Sequence, residues 1–300
     1  MLVPGIVSIM RRNCVPCLFT AALAIPALAS AQQANDVEYT AKIREYLTDP
    51  RISTELVDHL PASATVPTPL KFLGRIVGTP NELTHASDIH RYMAEIARTA
   101  PTRARYWSIG KTEEGRDMIV LAISDEETMR QLDTYKGYLK ALSDPRKTSE
   151  ARAKEIINVA KPIYYVTSGM HSPERGGPEM LMELAYRLVV EETPFIQNIR
   201  KNVITFITPV IEVDGREKMV DTYYFNKKNA PPAAAGGGGG RAGGANSLPL
   251  MYWGKYVQHD NNRDGMGQFL ELTKHTNDTW LEWTPTVLHD LHEASTYLYS

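Results

Sequence analysis

The residues best suited to chemistry lie in one short stretch of this 300-residue chain, Tyr164–Glu179, which reads YYVTSGMHSPERGGPE. It contains His171 and Glu174, three positions apart, between an apolar β-type segment and the start of an amphipathic helical pattern. Open α/β folds place their ligands at such strand ends. An imidazole and a carboxylate at this spacing can bind one Zn²⁺ ion together. Two ligands make half of a site, so a third must come from elsewhere in the chain.

A second group of residues that can bind a metal lies at the end of a predicted strand, Thr286–His292. The end of this strand and the residue after it read HDLHE. Side chains alternate along a strand, so His292 shares a face with Asp290 while His289 points the other way. Spacing alone does not choose between the two histidines as third ligand. Either would complete a set of three that leaves a fourth position open, as a catalytic zinc requires.

The elements around these residues predict an α/β fold with a mixed, largely parallel sheet flanked by helices. Pro101 follows a helical pattern over Asn81–Ala100, for which Thr84 or Ser87 is the predicted cap. A strand, helix, strand order implies a parallel pair. The predicted strands are Arg103–Gly110 and Asp117–Ser124, which form a hairpin, then Ile163–Thr167, Val203–Thr208 and Thr286–His292; the further predicted helices are Val37–Leu47, most of Asp125–Ala160, one after Pro178, and Gln268–Trp283.

The composition is that of an ordinary globular protein, with 43% hydrophobic and 23% charged residues. The formal net charge of −2 provides no basic stripe for phosphates, which argues against a nucleic-acid partner. No uninterrupted apolar stretch long enough to span a membrane follows the N-terminal segment. We therefore expect no membrane span in the mature chain.

The N-terminus reads as a signal peptide over residues 1–31. Arg11 and Arg12 precede an apolar segment, Cys14–Leu28, and Ala29–Ala31 form an A-x-A cleavage site. We expect cleavage after Ala31 and an exported, periplasmic or extracellular protein. Both cysteines lie in the removed segment, so the mature chain forms no disulfide. The rest divides into an N-terminal arm (32–80) and a catalytic domain (81–300) that contains a disordered Gly/Ala-rich loop (230–246).

Five segments, taken in order, resemble the zinc carboxypeptidases of the carboxypeptidase A type. They are IGKTEEGRDMIVLAIS (109–124), GMHSPE (169–174), PVIEVDG (209–215), DNNR (260–263) and the strand-borne His292, within a resemblance that covers roughly residues 88–300. The resemblance implies the fold of that family. It also implies zinc-dependent hydrolysis of the C-terminal bond of a peptide, in which a water activated by one Zn²⁺ attacks the bond.

The same resemblance assigns roles to individual residues. It implies that His171, Glu174 and His292 bind the zinc, and so favours His292 over His289. Asp260 matches the carboxylate that accepts a hydrogen bond from the first zinc histidine. The resemblance implies a peptide substrate with a free C-terminal carboxylate, and Asn262 and Arg263 match the pair that holds this carboxylate. The family's oxyanion-stabilising Arg is missing from residues 224–229. Lys227 or Lys228 could replace it.

Departures from the family pattern lead to further expectations. In the family, the general base is a Glu well downstream of the third zinc ligand, so we expect this catalytic residue beyond Ser300. The chain is then expected to be a fragment that lacks the base, the last strands and the specificity pocket, and to turn over little substrate. Glu293 is disfavoured as the base because it neighbours a ligand on a strand. Pro173 stands where many members have a substrate-binding Arg.

Two other functions fit the same residues. One is a noncatalytic module, stabilised by zinc, that binds peptide carboxylates. The other is a related zinc amidohydrolase that acts on acylated amino acids or on peptidoglycan stem peptides. A serine hydrolase is disfavoured because no G-x-S-x-G sequence joins a strand to a helix.

Overall fold

The computed structural model of the chain describes residues 33–229 and 259–293. The predicted signal peptide and the predicted Gly/Ala-rich loop lie outside the described residues. Among the residues that are described, no helix has both the length and the apolar character needed to cross a membrane.

The centre of the fold is a mixed sheet of five strands in the order β1-β2-β4-β3-β5. Strands β1 and β2 form the predicted antiparallel hairpin, and β2 also pairs antiparallel with β4. Strand β3 runs parallel to both of its neighbours, β4 and β5. The bounds are Ala104–Lys111 (β1), Asp117–Ile123 (β2), Ile163–Ser168 (β3), Ile204–Thr208 (β4) and Val287–Leu291 (β5).

Helices cover both faces of this sheet, which confirms the predicted α/β class. The helices of the described residues are Val37–Tyr46 (α1), Pro69–Leu73 (α2), Ala86–Thr99 (α3), Glu126–Arg130 (α4), Leu132–Leu142 (α5), Glu150–Ile157 (α6), Gly176–Val190 (α7), Pro194–Asn202 (α8), Val213–Asn229 (α9) and Glu271–Trp283 (α10). Short 3₁₀ helices lie at Pro50–Ile52 and Asn261–Arg263.

Alternation along the strands produces two cores. From β2, Ile119 and Leu121 face a core built with helices α1, α3 and α7, whereas Val120 packs with α5 and α10 on the opposite face. The first core also takes in the predicted arm, since Tyr39 and Leu60 are fully buried in it. Residues 33–80 thus pack against the same core as the sheet.

The predicted cap of helix α3 is wrong. The residue before the helix is His85, which makes no side-chain capping bond. The amide and hydroxyl of Thr84 both donate to the buried carboxylate of Glu179, and the Ser87 amide donates to Glu217. Tertiary contacts to α7 and α9 therefore take the place of a local cap.

Candidate metal centre

Strand β3 delivers the first ligand through a tight turn. Gly169 follows the strand with a φ of +63°, in the left-handed region that favours glycine. The chain that leaves β4 is bonded to this turn, since the amides of Ile211 and Glu212 donate to the carbonyls of Ser168 and Gly169 at 2.9 and 3.0 Å. The loop that carries His171 is therefore fixed to two strands.

His171 and Glu174 form one turn of chain. The Glu174 amide donates to the His171 carbonyl at 3.0 Å, which brings the two side chains to the same side. Nδ1 of His171 then lies 2.8 Å from Oε1 of Glu174. The spacing of three residues thus brings the two side chains together within one local turn, as the sequence predicts.

His292 reaches this pair from the residue after β5. Its Nδ1 lies 3.2 Å from Oε2 and 3.3 Å from Oε1 of Glu174. One ligand atom from each of His171, Glu174 and His292 lies within 4.8 Å of the other two. The structure therefore brings together two neighbours in a turn and one imidazole distant in sequence.

Asp260 lies behind the first histidine. Its Oδ1 is 3.1 Å from His171 Nε2, and it also accepts the Asn262 amide at 2.8 Å. The next residue, Asn261, is buried and donates through Nδ2 to the Met170 carbonyl and to Glu212, at 2.7 and 2.8 Å. This link ties the Asp260 segment to the residue that precedes His171.

The arrangement of protons and lone pairs at this cluster suits a cation. Both imidazoles have a carboxylate at each ring nitrogen, since Nε2 of His171 faces Asp260 and Nε2 of His292 faces Asp290 at 2.7 Å. A neutral imidazole has one N–H, so a ring that donates through Nε2 turns a lone pair on Nδ1 towards Glu174. A lone pair that faces a carboxylate is repelled by it. A metal ion bound between Nδ1 and Glu174 would turn this repulsion into two favourable bonds.

Distances and burial also fit zinc. Zn–N and Zn–O bonds of about 2.0–2.2 Å place ligand atoms roughly 3–3.6 Å apart around one tetrahedral ion. The distances from Nδ1 of His171 and of His292 to the Glu174 carboxylate, 2.8 Å and 3.2–3.3 Å, are close to this separation. Oε2 of Glu174 is buried and accepts no well-aligned hydrogen bond among the described residues, although His292 Nδ1 lies 3.2 Å away, as expected of two ligand atoms that face one metal position. Two nitrogens and a carboxylate are a common ligand set for catalytic zinc.

The carboxylates set the charge of the site. Burial lowers the pKa of His171, but the hydrogen bonds to Glu174 and Asp260 outweigh it and hold that pKa above its ordinary value. Burial raises the pKa of Asp260, but His171 and the Asn262 amide outweigh it and hold that pKa below its ordinary value. The carboxylate of Asp260 is thus ionised at neutral pH.

The other predicted site residues lie at varying positions. His289 is exposed on the opposite face of β5, where its Nδ1 contacts the Tyr164 hydroxyl at 2.6 Å. Asn262 and Arg263 are exposed in the 3₁₀ helix, two and three residues after Asp260. The end of α9 carries the two lysines: Lys227 donates to the Asn81 carbonyl at 2.8 Å, and Lys228 is exposed. The oxyanion-stabilising role of either lysine stays a prediction.

Two motifs quoted from the sequence hold the scaffold. Asp214, from PVIEVDG, is fully buried and accepts hydrogen bonds from Thr112, the Glu114 amide and Arg116 in the β1–β2 hairpin, at 2.8, 3.0 and 2.7 Å. These residues therefore fix the hairpin to the start of α9. The contacts of Asp214 thus give these residues of the two motifs a structural role.

Sequence reasoning missed three residues at the site. Asp290 faces His292, and Asn261 with Glu212 locks the loop before His171. The sequence contains a signal for Asp290, because alternation along the strand places it on the same face as His292. Asn261 and Glu212 had none, since their contact joins segments far apart in the chain.

The chain belongs to the zinc carboxypeptidase family. The profile of this family, described as zinc carboxypeptidase, matches residues 89–278, more than half of the chain. The match includes His171, Glu174 and Asp260 but ends before His292. The proposal of His292 as a metal ligand therefore depends on the geometry of the cluster. No curated protein matches the sequence significantly.

Solved structures of carboxypeptidases are similar to this chain at low identity. Carboxypeptidase A from Helicoverpa armigera is 18% identical with a TM-score of 0.45, over 72% of this chain and 47% of that one. A metallo-carboxypeptidase from Burkholderia cenocepacia is 13% identical with a TM-score of 0.40, over 71% of this chain and 42% of that one. The chain thus covers less than half the length of either structure.

Proposed function

We propose that this protein is a zinc-dependent carboxypeptidase that removes the C-terminal residue of peptides. The observation that carries the proposal is the cluster of His171, Glu174 and His292 in a chain of the zinc carboxypeptidase family. These three side chains would hold one Zn²⁺ ion. When bound, the ion would polarise the scissile carbonyl and activate a water molecule.

Neighbouring residues keep the ligands ready. Asp260 orients His171 by accepting from its Nε2–H, which leaves Nδ1 to bind the metal. The bonds of Asn261 to Met170 and Glu212 hold this carboxylate in register with the loop. Ligands fixed before the metal arrives lose little freedom when it binds.

Arg263 and Asn262 would bind the terminal carboxylate of the substrate. A guanidinium donates two parallel hydrogen bonds to a carboxylate, and an amide adds a third. Both side chains are exposed and follow Asp260, the carboxylate behind His171. Recognition of a free carboxylate beside the metal would make the enzyme an exopeptidase.

The proton acceptor for the attacking water is proposed to be a Glu beyond Ser300, as the resemblance implies. Glu293 has another contact: its carboxylate accepts the amide of Gly176, the first residue of α7. A carboxylate at a helix N-terminus stabilises the helix through its free amides and dipole. This position favours a structural role for Glu293.

Activity on matched peptides tests the proposal. The zinc-loaded protein, with the downstream sequence of its gene included, should release the last residue of a peptide and leave the same peptide with an amidated C-terminus intact. Arg263→Met should reduce kcat/KM by about 10²-fold or more, because the carboxylate loses a charge-assisted bidentate bond. Arg152→Met replaces an exposed Arg of α6 as the control and should change nothing.

Other outcomes identify the alternatives. Zinc binding and peptide binding without hydrolysis would show a noncatalytic module. Hydrolysis of acylated amino acids or peptidoglycan stem peptides, with none of ordinary peptides, would show an amidohydrolase. A protein that binds no zinc would overturn all three.

The N-terminal sequence supports a separate proposal, export from the cytoplasm. Residues 1–31 have the pattern of a signal peptide, with Arg11 and Arg12 before the apolar segment. N-terminal sequencing of the protein made in an exporting host should start at Gln32. A mature chain that retains Arg11 and Arg12 would contradict it.

A further inference from the structure

The second zinc histidine has a carboxylate partner that the sequence pattern did not assign. His292 Nε2 lies 2.7 Å from Oδ2 of Asp290. This repeats, on the other side of the cluster, the contact that His171 Nε2 makes with Asp260 at 3.1 Å. Both imidazoles therefore direct Nε2 to a carboxylate and Nδ1 to Glu174.

Asp290 is itself held by the neighbouring strand. Thr167 of β3 stands opposite Asp290 of β5 in the parallel register, and its Oγ1 donates to Asp290 Oδ1 at 2.8 Å. Thr167 is buried, and its strand also leads to the loop of His171. Both proposed histidine ligands are thus positioned from β3, one along the chain and one across the sheet.

We propose that Asp290 is a positioning residue that selects Nδ1 of His292 as the metal-binding nitrogen, and that Thr167 fixes Asp290 for this purpose. Of the two carboxylates that flank the ring, Asp290 at Nε2 is the nearer, at 2.7 Å against 3.2 Å for Glu174 at Nδ1, so the single proton of a neutral imidazole is held on Nε2. The lone pair is then on Nδ1, which faces Glu174 at 3.2 Å. The inference rests on the proposed function, since it presupposes that His292 binds zinc.

The position of His292 makes such a support necessary. His171 and Glu174 are half-buried in a turn that backbone hydrogen bonds hold, whereas His292 is exposed and follows the last residue of β5. An exposed ring at a strand end has freedom about its side-chain torsions. The Asp290 contact removes that freedom before the metal binds.

Zinc affinity, measured by competition with a chromophoric chelator, provides the test. Asp290→Ala should weaken zinc binding by about 10- to 100-fold, the usual range for a carboxylate that supports a metal histidine. Thr167→Val keeps the shape of the buried side chain and should weaken binding by about two- to tenfold, the effect of one hydrogen bond. The double variant should lose little more than Asp290→Ala alone, because the two residues act in series.

The matched control is His289→Ala. This residue precedes Asp290 on the same strand, but its side chain is exposed on the other face and contacts Tyr164. Zinc affinity should not change. A loss as large as that of Asp290→Ala would assign the effect to the strand or make His289 the ligand, and would overturn the proposal.

Nitrogen-15 NMR of the histidine rings adds a readout that a general loss of structure would not mimic. In the metal-free parent protein at a pH where His292 is neutral, the ring proton should reside on Nε2. Asp290→Ala should move the His292 proton towards Nδ1, where Glu174 remains as an acceptor, and should leave His171 unchanged. Circular dichroism checks the folding of each variant, and if Asp290→Ala does not fold, the same tautomer shift is measured in Thr167→Val.

The outcomes separate the two proposals. If the parent binds zinc and both Asp290→Ala and Thr167→Val bind it equally well, Asp290 has no positioning role and the carboxypeptidase proposal is untouched. If the parent binds no zinc, the metal site itself is wrong and both proposals fall.

Discussion

The ion pair between Glu179 and Arg216 yields the sharpest stability prediction. Nη2 of Arg216 donates to Oε1 of Glu179 at 2.7 Å, and the two side chains are 1% and 10% exposed. Thr84 donates to the same carboxylate from its amide and its hydroxyl, at 2.6 and 2.7 Å. The pair thus joins the segment before α3 to helices α7 and α9, and α7 begins two residues after Glu174.

The perturbation is Glu179→Gln, which preserves shape and removes charge. The variant leaves the Arg216 guanidinium buried without a counter-charge, and breaking a buried pair in this way costs about 3–5 kcal/mol. Burial already lowers the pKa of Arg216, against the opposing charge of Glu179. Because domains are stable by about 5–15 kcal/mol, the loss is a large part of the total free energy of unfolding.

Urea unfolding at pH 7.5 measures this loss against a matched control. Glu150→Gln makes the same substitution in an exposed pair with Lys154, whose side chains are 83% and 72% exposed, and should change stability by less than about 0.5 kcal/mol. Glu179→Gln with Arg216→Met should lose less than the two single variants added together, since the second change removes the stranded charge. Equal losses from Glu179→Gln and Glu150→Gln would refute the reasoning.

Three further predictions concern pH and backbone. Burial lowers the pKa of His90 to about 4, below its ordinary 6.5, so the unfolded chain binds a proton that the folded chain does not. The free energy of unfolding should therefore fall by about 3 kcal/mol as pH drops from 6.5 towards 4. Urea unfolding at pH 7.5 and 4.5 should show a smaller fall for His90→Phe than for the parent, and an equal fall would contradict the role of His90. Gly110→Ala places a Cβ 2.3–2.4 Å from the ring of His275 at a φ of +152°, and should lower the free energy of unfolding by about 1–3 kcal/mol or more. The control, Gly137→Ala, adds a Cβ in open space within α5 and should be neutral or slightly stabilising. Similar melting temperatures for the two variants would argue against a crowded Gly110. If His171 binds zinc through Nδ1 as proposed, zinc and protons compete for this atom. The pKa of His171 is raised, so zinc affinity should be full above that pKa and decline below it. A zinc affinity that is independent of pH between 8 and 5.5, measured by chelator competition, would argue against His171 as a ligand.

Much of the fold follows from periodicity. The strand bounds predicted from alternation differ from those observed by one residue at most ends, as for Ile163–Ser168 and Val287–Leu291. Helix α10 begins at Glu271 and not at Gln268, because the Asp264 carboxylate binds the amides of Phe269 and Leu270 and holds the preceding turn out of the helix. The cap of α3 failed for a similar reason, since its partners lie on α7 and α9.

The sequence alone determined which residues are proposed as metal ligands and which elements carry them. The spacing of His171 and Glu174 is a local property, because one turn of chain brings them together whatever surrounds it. Alternation along a strand likewise separated His289 from His292 and Asp290.

Only the tertiary structure decided which distant groups meet. The parallel register of β3 with β5 sets Thr167 beside Asp290, and the loop after β4 sets Glu212 beside Asn261. The first of these contacts joins residues more than a hundred positions apart, and the second joins residues some fifty positions apart. No local sequence pattern encodes the relative placement of elements so far apart. The third member joins the cluster because the packing of the sheet, and not local spacing, brings Nδ1 of His292 to 3.2 and 3.3 Å from the two oxygens of Glu174.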